Sequence, residues 1–231
     1  MNAVCITIID NRVSAEASRV CIESSKKVKN DFKVRAWTAT IPDEVDGILR
    51  KENLQWNYPW EGEVFDFKTG LKKTAYPTVN RRARIACALS HYSIWKACAH
   101  GDSPWIVLEH DAKFIAKLDH NIILNPKFLI SGINNPLYAT RKSMKYHKLI
   151  QEGKGPVMPV PVIDSYEVPQ GLAGNSAYII WPAGAKKMIQ LVKEHGLWPN
   201  DALMCRQLFP KLGVTKEYYT EVQGTPSTTT S

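Results

Sequence analysis

Apolar positions along this chain gather into short continuous runs separated by helical stripes, the pattern of strands alternating with helices. Val4 to Ile9 is a short apolar run closed by Asp10-Asn11-Arg12, and it reads as a buried strand and its turn. Ser14 is placed to cap the helix that follows, with Glu16 in its first turn and Ala17, Val20, Cys21 and Val28 as its apolar stripe. Phe32 to Trp37 then alternates, with Phe32, Val34 and Ala36 on one face. Strand, helix, strand at this length predicts a right-handed unit of parallel strands.

Between Leu54 and Tyr76 the period is lost. Trp56, Tyr58, Trp60, Phe65 and Phe67 are interleaved with Asn, Pro, Glu and Gly, which reads as an irregular aromatic insertion, either a sugar-stacking wall or a loop pinned to the domain. Helical spacing returns with Ile85, Ala86, Leu89, Ile94, Ala97 and Cys98, and Gly101, Asp102 and Pro104 stop it. Trp105 to Leu108 is a continuous apolar run, the mark of a strand covered on both faces. Phe128 to Ser131 reads as a further strand and Gly132 to Pro136 as a turn. Tyr138 to Gly155 is basic, with Arg141, Lys142, Lys145, His147, Lys148 and Lys154, and reads as a mobile flap or a solvated loop. Pro156, Pro159 and Pro161 predict no regular structure before Asp164. The small-residue loop Gln170 to Ser176 leads into a strand at Ala177 to Trp181. Pro182 then opens a helix that Gly196 ends, and Asn200-Asp201 opens a short one.

The candidate chemistry sits at the end of the buried strand 105–108. Glu109, His110 and Asp111 follow it directly, and the carboxyl ends of such strands are where open α/β sheets bind ligands. Two carboxylates so close repel unless they share a proton or a cation, and their hard oxygens suit Mg²⁺ or Mn²⁺ bridging to phosphates. Glu109 and Asp111 are therefore the candidate metal ligands, against the plainer reading of a solvated strand end. Arg81 and Arg84 open the long helix, where guanidinium forks and helix N–H groups both favour a diphosphate. Glycines at 171 and 174 permit close backbone approach to a ligand, which makes Gly174 and Asn175 candidate ligand contacts.

With 231 residues, 44% hydrophobic, the chain has the length and composition of one soluble α/β domain, placed at 1–222 with a flexible tail at 223–231. No run approaches the ~20 apolar residues of a spanning helix, and the amino terminus lacks the pattern of a secretory signal. Five cysteines without C-x-x-C spacing read as reduced thiols in a cytoplasm, that of the cell or of a host cell. The formal charge of +8 is spread along the chain rather than gathered into a basic stripe with stacking aromatics, so nucleic acid is not the expected partner.

Ala86-Cys87-Ala88-Leu89-Ser90-His91, then Trp95, then the strand ending Glu-His-Asp, resembles glycosyltransferase family 25, which includes lipooligosaccharide and collagen hydroxylysine galactosyltransferases. Gly174-Asn175-Ser176-Ala177-Tyr178-Ile179-Ile180, Ala183-Gly184-Ala185-Lys186-Lys187 and Asn200-Asp201 continue the likeness in the family's order. His110 stands where the family more often has a second aspartate, Ala86 replaces a glycine, and Arg84 replaces a common acidic residue; small viral relatives share the Glu-His-Asp form. The resemblance implies a GT-A-like fold and inverting transfer of a hexose from a nucleotide sugar, a UDP-sugar first, to a glycan, lipid-linked or protein hydroxyl. It also implies that Asn11, Arg12, Trp37 and Thr38 lie on the donor side, that Ser90 and His91 touch the nucleotide, and that Asp201 is the base. A nucleotidyltransferase, or a sugar-nucleotide-binding module without activity, would use the same residues and stays open at this point.

Overall fold

The computed structural model describes residues 1–123, 127–137 and 142–224. Of the expected basic segment, Arg141 lies outside these residues, as do 225–231 of the expected tail. The elements are β1 Asn2–Thr7, α1 Arg12–Lys27, β2 Val34–Thr38, α2 Val45–Glu52, β3 Glu63–Asp66, β4 Leu71–Thr74, α3 Arg81–Ala99, β5 Trp105–Glu109 and β6 Ala112–Phe114. They continue with α4 His120–Ile123, β7 Ile130–Gly132, α5 Ser143–Glu152, β8 Val157–Pro159, β9 Ala177–Ile180, α6 Pro182–His195, α7 Asn200–Leu203, β10 Leu212–Thr215 and β11 Thr220–Val222.

Seven strands form one sheet in the order β2-β1-β5-β9-β7-β10-β8. Five run in one direction and β9 and β8 run against them, so the sheet is mainly parallel, as the strand-and-helix pattern predicts. β1, α1 and β2 make the expected parallel unit, with Ala3 opposite Val34 and Thr7 opposite Thr38. β5 lies on the other side of β1, pairing Ile6 with Glu109. Ile106, Val107 and Leu108 are wholly buried, as a strand covered on both faces requires. Each such side chain contributes roughly 1.5–3 kcal/mol by leaving water. On one face α3 packs against α6, with Trp95, Ile94 and Met188 in a core shared with Trp198 and Leu203. On the other, Cys21 of α1 joins Phe114, Ile122 and Ile179.

Five expectations need correction. Asn11, not Ser14, caps α1: its Oδ1 accepts from Ser14 N–H at 2.9 Å, while Ser14 Oγ accepts from Ile8 N–H at 2.9 Å. Because α1 begins at Arg12, Glu16 falls beyond the first turn. The aromatic insertion holds an antiparallel hairpin, β3 with β4, which buries Leu71 and Lys73 of β4 while Val64 and Phe65 of β3 face solvent, so its aromatic residues do not mark its buried face. The basic segment holds a helix, α5, with Tyr146 and Ile150 buried beneath it. The proline-rich stretch forms β8, an edge strand on β10, where a residue without an N–H is tolerated on the open side. Among the described residues no helix is long and apolar enough to cross a membrane.

Candidate active site

Because β1, β2 and β5 run together, Thr7, Thr38 and Glu109 finish at one edge of the sheet. The chain entering β9 arrives at the same edge: Ala177 pairs with Leu108, and Glu109 N–H donates to Ser176 O at 2.7 Å. The first half of α3 and the start of α7 close over it, with Cys87 Sγ 4.0 Å from Asn200 Oδ1. Between them lies a cleft of about 570 Å³ lined by Asn11, Thr40, Arg84, Cys87, Ser90, His91, Glu109, His110, Asp111, Asn175 and Asp201, among others. A separate hollow of about 650 Å³ over α2, α3 and α6 is lined by Lys51, Lys96, Lys186 and Lys193. It brings together no carboxylate pair and no nucleophile, so the smaller cleft is the candidate site.

Charge in the cleft is poorly compensated from within. Asp111 Oδ1 is buried with no hydrogen-bond partner. Burial first, and then the charge of Glu109, push the Asp111 carboxyl up to about 7. Burial also raises the Asp201 carboxyl; Glu109 adds to that rise, while Arg84 and Tyr76 pull it back down. Arg84 is the cation facing these acids. Its Nη2 donates to Pro77 O at 3.0 Å and its guanidinium lies 5.5 Å from the Tyr76 ring centre, yet its Nε is buried without an acceptor. Asn175 Oδ1 is likewise buried and unpartnered. Orphaned polar atoms of both signs converging on one cleft are what a charged, hydroxyl-rich ligand would satisfy.

His91 is wholly buried on the cleft wall. Trp95 Nε1–H donates to Tyr178 Oη at 2.9 Å, and Tyr178 Oη lies 2.9 Å from His91 Nδ1. The buried hydroxyl has His91 Nδ1 as its acceptor, which leaves the second ring nitrogen to carry the proton. That nitrogen, Nε2, stands 3.2 Å from Glu109 Oε1. The row Trp95, Tyr178, His91, Glu109 thus runs from the core to a carboxylate whose side chain is 31% exposed.

The structure gathers Asn11, Arg84, Ser90, His91, Glu109, Asp111, Asn175 and Asp201 from the sequence candidates into the cleft. Trp37 and Thr38 line an adjoining hollow of about 510 Å³ that shares Ala39 and Thr40 with it. Arg12 and Arg81 are not among the lining residues; Arg81 pairs with Glu61 at 3.1 Å and lies over Trp60. Gly174 does not line it either, but its φ of 64° turns the loop that delivers Asn175. Ser90 serves the fold as well: its Oγ donates to Ala86 O and accepts from Thr40 N–H, both at 2.9 Å, tying the β2 loop to α3.

Three contributors carry no strong local signal. Cys87 stands four residues before His91, so it shares that face of α3. Tyr178 acts on a partner 87 positions away. Gln223 fixes the turn that presents Asp111, through backbone N–H to Asp111 O at 2.8 Å and Nε2 to His110 O at 3.1 Å and Ala112 O at 3.0 Å. Among the described residues, Cys87, His91 and Glu109 are the group of three whose ligand atoms lie close enough, within 4.8 Å of one another, to hold one metal ion; Asp111 stands outside that group.

A family model described as glycosyltransferase family 25 (LPS biosynthesis protein) matches residues 81–204. Those residues hold α3, β5, the turn after it, the loop before β9 and α7. Among solved structures, the chain is similar to the apo form of mouse xyloside xylosyltransferase 1, with 9% identity and a TM-score of 0.46, covering 91% of this chain and 83% of that one. It is also similar to galactosyltransferase LgtC in complex with donor and acceptor sugar analogs, with 10% identity and a TM-score of 0.42, covering 93% of this chain and 73% of that one. No curated protein matches the chain in sequence.

Proposed function

The chain belongs to glycosyltransferase family 25, and on that premise we propose that it moves a hexose from a nucleoside diphosphate sugar, a UDP-sugar first, to a hydroxyl of a glycan, a lipid-linked glycan or a protein. The observation that carries this reading is the convergence of Arg84, Glu109, Asp111 and Asp201 on one cleft at the carboxyl edge of the sheet. The unpartnered Asp111 Oδ1 beside the charge of Glu109 fits a hard dication. Asp111 and Glu109 would hold Mn²⁺ or Mg²⁺, which when bound supplies positive charge to a diphosphate.

The chain's own residues do the rest. Arg84 offers its unpartnered Nε–H to the diphosphate oxygens, which gain negative charge as the sugar–oxygen bond breaks. Asp201 accepts the acceptor hydroxyl's proton as that oxygen forms the new bond to the anomeric carbon, and transfer inverts the centre. Its burial raises the carboxyl toward working pH and so makes it a stronger base. Asn175 Oδ1 is free to accept from an acceptor hydroxyl. Asn11 faces the same cleft beside the β2 loop, and Trp37 and Thr38 extend the donor side into the adjoining hollow. Five free cysteines support a reducing, cytoplasmic setting.

A donor screen tests the reading. Wild-type protein with Mn²⁺ should release UDP from at least one UDP-hexose, and chelator should suppress the release. Pyrophosphate in place of UDP would make it a nucleotidyltransferase, and no product from any nucleotide sugar would make it a binding module.

A further inference from the structure

Cys87 and His91 stand four residues apart on α3, one helical turn, and both face the cleft wall that Glu109 reaches from β5. Their ligand atoms and a Glu109 oxygen lie within 4.8 Å of one another. Two nitrogen or oxygen ligands at ~2.1 Å on a tetrahedral ion are about 3.4 Å apart. His91 Nε2 and Glu109 Oε1 are 3.2 Å apart, so they need hardly move to share one. The donor set is one sulfur, one imidazole and one carboxylate, which favours a thiophilic ion over the hard cations that Glu109 and Asp111 suit. Cys87 is also the one cysteine of the five that is only partly buried, and it lines the cleft.

We propose that Cys87, His91 and Glu109 form a binding site for a single thiophilic divalent ion of the Zn²⁺ class, with its fourth position open to the cleft. On binding, the Cys87 thiol releases its proton to solvent and the sulfur takes the ion as thiolate. To bind through Nε2, His91 takes its other tautomer, with the proton on Nδ1 beside the Tyr178 oxygen 2.9 Å away, and the Tyr178 hydroxyl turns its own hydrogen off the ring. Asn200 Oδ1 lies 4.0 Å from the sulfur. Because Glu109 is shared, an ion here excludes the cation assigned to Glu109 and Asp111. That consequence rests on the transferase reading, whereas the binding itself does not.

Cobalt is the probe, because a cobalt–thiolate bond absorbs in the near ultraviolet and needs no sugar donor to be seen. Titrating Co²⁺ into the reduced full chain should raise that band at one equivalent, and Zn²⁺ should abolish it. Asp111→Asn should keep the band and Cys87→Ser, checked for folding by circular dichroism, should lose it completely. In the wild type, Co²⁺ should also shield Cys87 from alkylation, read by peptide mass spectrometry, which decides the matter if Cys87→Ser does not fold. No band in the wild type, a band that survives Cys87→Ser or vanishes in Asp111→Asn, or an unshielded Cys87 would overturn the site. A silent transferase reaction would leave each of these readouts unchanged, so the two failures are distinguishable.

Discussion

Gln223 holds Asp111 from the far end of the chain: its backbone N–H donates to Asp111 O at 2.8 Å, and its side-chain amide reaches His110 O, Ala112 O and Ala17 O at 3.1, 3.0 and 2.9 Å. The turn that aims the carboxylates is thus braced from α1 and from the strand β11 at once. Gln223→Ala removes the three side-chain bonds. It should cost about 1–2 kcal/mol in urea unfolding and weaken UDP binding in Mn²⁺, while the m-value stays unchanged. An unaltered midpoint together with unaltered UDP affinity would remove the bracing role.

Tyr178 fixes which nitrogen of His91 carries the proton. Tyr178→Phe keeps the ring in its buried place but strips the acceptor from Trp95 Nε1–H and the partner from His91 Nδ1. A buried donor left unmet costs about 1–3 kcal/mol. Chemical unfolding should show that loss, and NMR of the His91 ring should show both neutral tautomers where the wild type shows one. A single tautomer in the variant would mean that Glu109 alone sets the ring.

Asp111 links stability to pH in the absence of a cation. Its carboxyl titrates at about 7 in the fold against 3.8 for the free residue, so between those values the folded state binds more protons than the unfolded one. Its contribution is whole below about pH 4 and is lost as pH rises toward 7. Full linkage over that shift would amount to about 4 kcal/mol; partial solvent access reduces it to on the order of 2 kcal/mol. The metal-free wild type should therefore lose that much more stability than Asp111→Asn between acid and neutral pH, and Mn²⁺ should restore it. Parallel stability curves for the two proteins would show that Asp111 is not strained by its burial.

Asp201→Asn keeps the shape of the side chain and removes the proposed base. With the donor screen's best substrate, kcat should fall by about 10²–10⁴ while the donor KM changes less than about threefold. A fall in donor affinity instead, with kcat retained, would place Asp201 on the nucleotide rather than on the acceptor.

The helix α3, the strand β5 and the carboxylates at its end were legible because each rests on a local rule: helical spacing from Ile85 to Cys98, an unbroken apolar run, and polar residues straight after it. What stayed hidden depends on partners distant in the chain. Proline argues against a strand only where both sides must pair, and β8 has a free edge. The β3–β4 hairpin turns Val64 and Phe65 outward and buries Leu71 and Lys73, so its apolar residues do not trace its inner face. Arg81 and Arg84 look alike as a basic cluster, and only the cleft separates Arg84, with its unmet Nε, from Arg81, already paired with Glu61. Gln223 sits in a Gly, Pro and Thr-rich end that reads as tail, and nothing near it hints at the turn it secures.

Calorimetric titration of UDP in Mn²⁺, repeated after chelation and with Asp111→Asn and Arg84→Gln, bears on whether a diphosphate is held between the acidic turn and the start of α3. Affinity should fall at least about tenfold in each altered case, since each removes a charge-assisted contact of about 1.5–3 kcal/mol. Equal affinity with and without the cation, and in both variants, would place the nucleotide elsewhere and contradict the assignment.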